Sequence, residues 1–132
     1  YYTSVQIAKA ETFAAAKLQA QQLCLNDIAS YIGSNIVGRI KSDVANSESV
    51  KDAASVTEVI GAYQNTVAAK LGRVEPIALF QKVDKATGLT FIQAMMCYDL
   101  SAAEEMVKKD LRKDLKAKTS MLQEEIDQLI GL

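Results

Sequence analysis

The sequence predicts an α+β domain, because amphipathic helical patterns at both ends of the chain enclose two β-rich runs joined by a short glycine-ended connection. The runs are residues 77–83 and 89–98, with Asp84, Lys85, Ala86, Thr87 and Gly88 between them, which is hairpin chemistry. Pro76, the only proline, stands just ahead of the first run, where a missing N–H costs least. The expected architecture is a long alanine-rich helix and further helices packed on a small antiparallel sheet.

From the N-terminus, Ile7, Ala10, Phe13, Ala14, Leu18, Cys24, Leu25, Ile28 and Ile32 recur with a 3.6-residue period, so one amphipathic helix is expected over residues 5–32. Its alanines (Ala10, Ala14, Ala16, Ala20) suit close packing on a sheet. Gly33, Ser34 and Asn35 then supply helix-stop chemistry. Beyond them Ile36, Ile40 and Val44 fit a helix. Gly38 and the alternation of Arg39, Lys41 and Asp43 with their neighbours favour an exposed strand instead. Asn46, Ser47, Glu48 and Ser49 read as a loop. Val56, Val59, Ile60, Tyr63, Val67 and Leu71 predict a second helix over residues 53–71, with Gly72 placed to cap it.

Ser101 and Glu104 have capping-box spacing, so a charged helix is expected over about 101–130, with Val107, Leu111, Leu115, Leu122, Ile126 and Leu129 on one stripe. Leu115, Leu122 and Leu129 lie seven apart, but Lys118 and Glu125 interrupt the companion positions of a coiled-coil seam. Packing of that stripe on the chain's own sheet is the stronger expectation. At 132 residues, residues 1–132 have room for one domain.

Lysine plus arginine (15) balance aspartate plus glutamate (16), leaving no net field to draw the chain onto nucleic acid or an anionic bilayer. The basic stripe Lys108, Lys109, Arg112, Lys113, Lys116 and Lys118 is interleaved with Asp110 and Asp114 and reads as a solvated, ion-paired helix face. Glu104/Glu105 and Glu124/Glu125 read as helix-surface acids. Histidine is absent, which removes the commonest general base, the usual activator of a nucleophile and the preferred zinc ligand. The six glycines are dispersed and form no phosphate-cradling loop. No enzyme is expected, and no catalytic, cofactor-binding or metal-binding residue is assigned. Cys24 and Cys97, both in apolar surroundings, read as buried reduced thiols ahead of a disulfide or a reactive thiol.

The functional expectation comes from the hairpin. With Val83 set opposite Leu89, one side carries Ile77, Leu79, Val83, Leu89, Phe91, Met95 and Cys97, and the other carries Ala78, Phe80, Ile92, Ala94, Met96 and Tyr98. Both sides are apolar, more than the chain's own helices need, so a second cover is expected. Phe80, Phe91, Met95, Met96 and Tyr98 are the candidate partner or ligand surface. Core, subunit interface and ligand pocket all remain open for such residues.

Ala8-Lys9-Ala10-Glu11 through Ala20-Gln21-Gln22-Leu23, followed by Ile28-Ala29-Ser30-Tyr31-Ile32, resembles the opening of the bacterial "lipoprotein twenty" family. The order of the later segments is similar too: an exposed strand, a variable segment ending near Leu71-Gly72, a hairpin like residues 74–83 and 90–100, and a lysine-rich last helix. The resemblance implies a dodecin-like βαββ arrangement and a periplasm-facing envelope protein of the outer membrane or cell surface. It implies tethering through a lipidated cysteine upstream of residue 1, since Cys24 and Cys97 fall inside predicted elements. It brings no catalytic residues. The start at Tyr1, without methionine, suggests a processed product. A non-catalytic module acting by protein contact or self-association is therefore expected, with a carrier of a small apolar ligand, held between hairpin and alanine-rich helix, as the alternative.

Overall fold

A computed structural model of the chain describes residues 1–47, 50–71 and 74–131. It shows an α+β fold built on a three-stranded antiparallel sheet in which β3 (Thr90–Tyr98) lies between β1 (Tyr2–Ala10) and β2 (Ala78–Val83). Tyr2 stands opposite Tyr98 and Ala10 opposite Thr90 on one side of β3. On the other, Ala78 meets Met95 and Val83 meets Thr90.

β1 corrects the expectation of a helix from residue 5. Ser4 and Ala8 are buried while Val5, Ile7 and Lys9 are exposed, the two-residue period of a strand with one covered face. The chain turns into α1 (Phe13–Ile32) at Thr12, whose hydroxyl accepts the Ala15 N–H at 3.1 Å, satisfying one orphan donor of the first turn.

α1 lies across β1 and β3. Its contact stripe is Ala16, Ala20, Cys24, Ile28 and Ile32, each 0% exposed, and the small members let helix and sheet approach closely. The Cys24 thiol bridges the strands beneath it, 3.4 Å from the Ala94 carbonyl and 3.6 Å from that of Ser4. Tyr2 fastens the sheet's end to the helix by stacking on Tyr31 at 4.1 Å and donating to Asp27 at 3.1 Å.

Residues 36–44 are helical, not an exposed strand. A π-turn (Gly33–Val37) continues α1 into α2 (Gly38–Ala45), burying Ile36, Val37, Ile40 and Val44. Gly38 is what tertiary contact requires rather than a helix breaker. A Cβ there would sit 3.3 Å from the Gly33 carbonyl oxygen and 3.7 Å from Gln64 Nε2, and that carbonyl also accepts a 2.7 Å hydrogen bond from Gln64 Nε2. The bare backbone admits the neighbouring helix.

The expected second helix exists as α3 (Ala53–Gln64) and the short α4 (Val67–Lys70), interrupted at Asn65 and Thr66. Glu48 and Ser49 of the expected loop, and the capping Gly72, lie outside the described residues.

After the sheet, α5 (Leu100–Lys118) starts slightly earlier than the Ser101–Glu104 box suggests: Asp99 accepts the N–H groups of Ser101 and Ala102 at 2.9 and 3.4 Å. It ends where Thr119 turns extended and bonds back to the Leu115 carbonyl, and α6 (Gln123–Ile130) comes next as a separate helix. The leucine stripe is accordingly split: Leu115 is buried, Leu122 is exposed and Leu129 half-buried. α5 and α6 pack on each other and on the helical end of the molecule, through α3 and α2, rather than across the sheet. Arg112 pairs with Asp127 at 3.0 Å and Lys108 with Glu104 at 3.2 Å.

Asp110, expected to balance the lysines beside it, is instead a hydrogen-bond acceptor. It accepts a 2.8 Å hydrogen bond from the hydroxyl of Tyr63, which is 2% exposed. Burial first, and then this carboxylate, push the Tyr63 phenol above its ordinary range. Because the folded state raises this pKa, the contribution to stability is whole below the unfolded value near pH ~10 and is lost as pH climbs through the folded value. Tyr63→Phe should cost about 1–3 kcal/mol in a urea titration at neutral pH, with the gap from wild type narrowing under strongly alkaline conditions.

Candidate functional site: the uncovered face of the sheet

The register sorts the sheet's side chains into two faces. Facing α1 are Ser4, Gln6 and Ala8 of β1 with Ile92, Ala94 and Met96 of β3, and in line with them Leu79, Gln81 and Val83 of β2. Facing away are three cross-strand rows: Val5–Met95–Ala78, Ile7–Gln93–Phe80 and Lys9–Phe91–Lys82, with Thr3–Cys97 beyond. No described element packs over this outer face. Ile7 is 61% and Phe80 63% exposed, and Val5 is exposed too.

Of the five candidate residues, Phe80, Phe91 and Met95 come together on the outer face, whereas Met96 is 1% exposed beneath α1 and Tyr98 packs half-buried against the core. The expected face assignment of β2 is corrected by one position, because Val83 opposes Thr90 rather than Leu89. Phe80 therefore joins Phe91 and Met95, while Leu79 and Val83 turn to the α1 side. The proposed cleft between hairpin and alanine-rich helix is corrected with it, since Phe80, Phe91 and Met95 point away from that helix. Sequence reasoning missed the contribution of β1. The signal was the alternation of Thr3, Val5 and Ile7 with Ser4, Gln6 and Ala8, overridden by the alanine periodicity that runs on into α1.

An open groove of about 600 Å³ is lined by Ile7, Phe91 and Gln93 together with residues 80–85 of β2 and the turn that follows it, including Phe80, Lys82 and Asp84. Lys9 and Lys82 flank Phe91 and have no ion-pair partner among the described residues. Such a face can bury apolar groups and orient whatever covers it by its one basic end. Among the described residues no group of three or more Cys, Asp or Glu is arranged to hold a metal ion, and no helix is long and apolar enough to cross a membrane.

Both cysteines are free thiols. Cys24 is fully buried and its thiol pKa is raised, chiefly by that burial. Cys97 is half-buried on the outer face, 2.9 Å from the Thr3 hydroxyl. In dilute native protein a thiol reagent should modify Cys97 about 100-fold faster than Cys24, reactivity following exposure and thiolate character. Equal rates before unfolding would contradict the placement of Cys24 between α1 and the sheet.

No family model, no curated protein and no solved structure matches this chain.

Proposed function

We propose that this chain is a non-catalytic contact module whose sheet packs, outer face against outer face, on a second copy of itself. The observation that carries the reading is the set of cross-strand rows holding Val5, Met95, Ile7, Phe80 and Phe91 with no described element over them. Exposed apolar residues scattered singly are ordinary, but a contiguous set on one sheet face marks an interaction surface. Lys9 and Lys82 at one end, without an ion-pair partner among the described residues, favour copies packed head over tail, since like charges placed opposite one another are unfavourable. In sedimentation at micromolar concentration the wild type should exceed the monomer mass. Ile7→Lys, at a position 61% exposed, should reduce that mass while leaving the circular dichroism unchanged. A monomeric wild type, or an Ile7→Lys protein that assembles equally well, defeats the reading.

The setting we propose is the periplasm-facing surface of the bacterial envelope, with the membrane reached through a lipid anchor upstream of residue 1. Its support is the family resemblance of residues 8–32 and of the hairpin segment. Metabolic labelling of the natural gene product with an alkyne fatty acid should mark it upstream of Tyr1. An unlabelled product with a cytoplasmic start removes this part of the proposal.

The groove over Ile7, Phe91 and Gln93 favours a second reading, in which the same face carries a small apolar ligand. Native mass spectrometry of freshly purified protein should then show a retained adduct that Phe80→Ser abolishes; protein free of adduct excludes it.

A further inference from the structure

β2 differs from the other strands in having neither face covered by a described element. α1 reaches β1 and β3, so Leu79 and Val83 on the α1 side are 37% and 52% exposed, as Phe80 is on the other side. β1, the other edge, has its inner residues buried or half-buried beneath α1. β2 is also an open edge, with no described strand beside it except β3.

The direction of its backbone groups is set by the register. The Asp84 N–H donates to the Leu89 carbonyl at 2.9 Å, which makes Asp84 and Leu89 a hydrogen-bonded pair. Antiparallel ladders alternate, so Lys82, Phe80 and Ala78 bond to β3, whereas Leu79, Gln81 and Val83 point their N–H and C=O groups outward.

We infer that β2 pairs antiparallel with β2 of a second copy about a two-fold axis at Gln81, joining two sheets into one of six strands. In that register Gln81 faces its own copy, Leu79 faces the partner's Val83, and Phe80 faces the partner's Lys82. These are an apolar pair and a cation over an aromatic ring. Shifting the axis toward the hairpin sets Lys82 against Lys82, and shifting it the other way sets Leu79 against Gln81.

Size supplies the independent argument. Three strands spaced ~4.8 Å and 6–9 residues long present roughly 300–400 Å² in projection. A stable interface buries about 800 Å² per partner, and joining two copies edge to edge brings the apolar face close to that. The inference deepens the proposed self-association: two six-stranded sheets packed face to face make a tetramer, a common closed symmetry.

Light scattering of the full chain should give four copies. Gln81→Pro removes one outward N–H and spares the bonds to β3, as proline on an edge strand can, and should weaken assembly at least ~10-fold, to monomer. Ile7→Lys should stop at the dimer. Gln81→Pro retaining wild-type mass overturns the edge pairing. Ile7→Lys retaining it, with Gln81→Pro monomeric, overturns the face-to-face reading alone, and a monomeric wild type overturns both. Hydrogen exchange of the wild type decides independently of whether Gln81→Pro folds: the Leu79, Gln81 and Val83 amides should slow as concentration rises, and exchange as fast as a loop at every concentration refutes the pairing.

Discussion

Leu111→Ala lowers the stability of the fold by about 3–4 kcal/mol, a large share of the 5–15 kcal/mol typical of a domain. Leu111 is 0% exposed in the middle of α5, on the stripe with Ala103, Val107 and Leu115 that closes the helical end of the molecule. The deletion costs transfer energy and leaves a cavity that cannot collapse easily. Tyr63 and Asp110 tie α3 to α5 next to it, and the Arg112–Asp127 pair holds α6 on the far side. In urea the midpoint should fall with the slope unchanged. A loss under about 1 kcal/mol would mean that α5 is not docked on this core.

Ala20→Leu destabilises by about 3 kcal/mol through the opposite fault, too much volume where helix and sheet touch. Ala20 is 0% exposed between Ala16 and Cys24, and the Cys24 thiol, one turn on, already lies 3.4 Å from a strand carbonyl. A leucine there must push α1 off β1 and β3 or take a strained rotamer. Ala14→Leu, on the exposed side of the same helix, is the control and should move the urea midpoint little. Equal effects at the two positions would mean that α1 does not lie on the sheet by its small residues.

Some elements could be read from residue order and others could not, according to how local their causes are. The β2–β3 hairpin was legible because Asp84 to Gly88 are turn chemistry between two β-rich runs, with Gly88 at φ 71° as the turn requires. α1 was legible over residues 13–32. β1 was not, because its strand conformation depends on pairing with β3, 80 or more residues away, and its alanines fit the helical period of α1. α2 was hidden for a related reason: Gly38 lowers helix propensity, and the compensation is the seat it makes for Gln64 from another helix. The last helix breaks at Thr119 although its leucine spacing continues. A periodic stripe records which residues face inward, not whether one straight rod carries them all.

The interaction face was half legible for the same reason. An apolar surplus on the hairpin was visible in Phe80, Phe91 and Met95. Alternation along β3 already separates Phe91 and Met95 from Met96 and Tyr98, but placing Phe80 with Phe91 and Met95 needed the β2–β3 register, since a slip of one residue exchanges the two faces of a strand. Val5 and Ile7 needed β1.

Whether a second copy covers the outer face can be read from the accessibility of its methyl groups to a soluble paramagnetic agent, followed as the protein is concentrated. Signals from Ile7 and Met95 should be bleached in dilute solution and become protected on concentration, while Leu18, 67% exposed on α1, is bleached throughout. Bleaching of Ile7 and Met95 that does not change with concentration would contradict the packing of a second copy over that face.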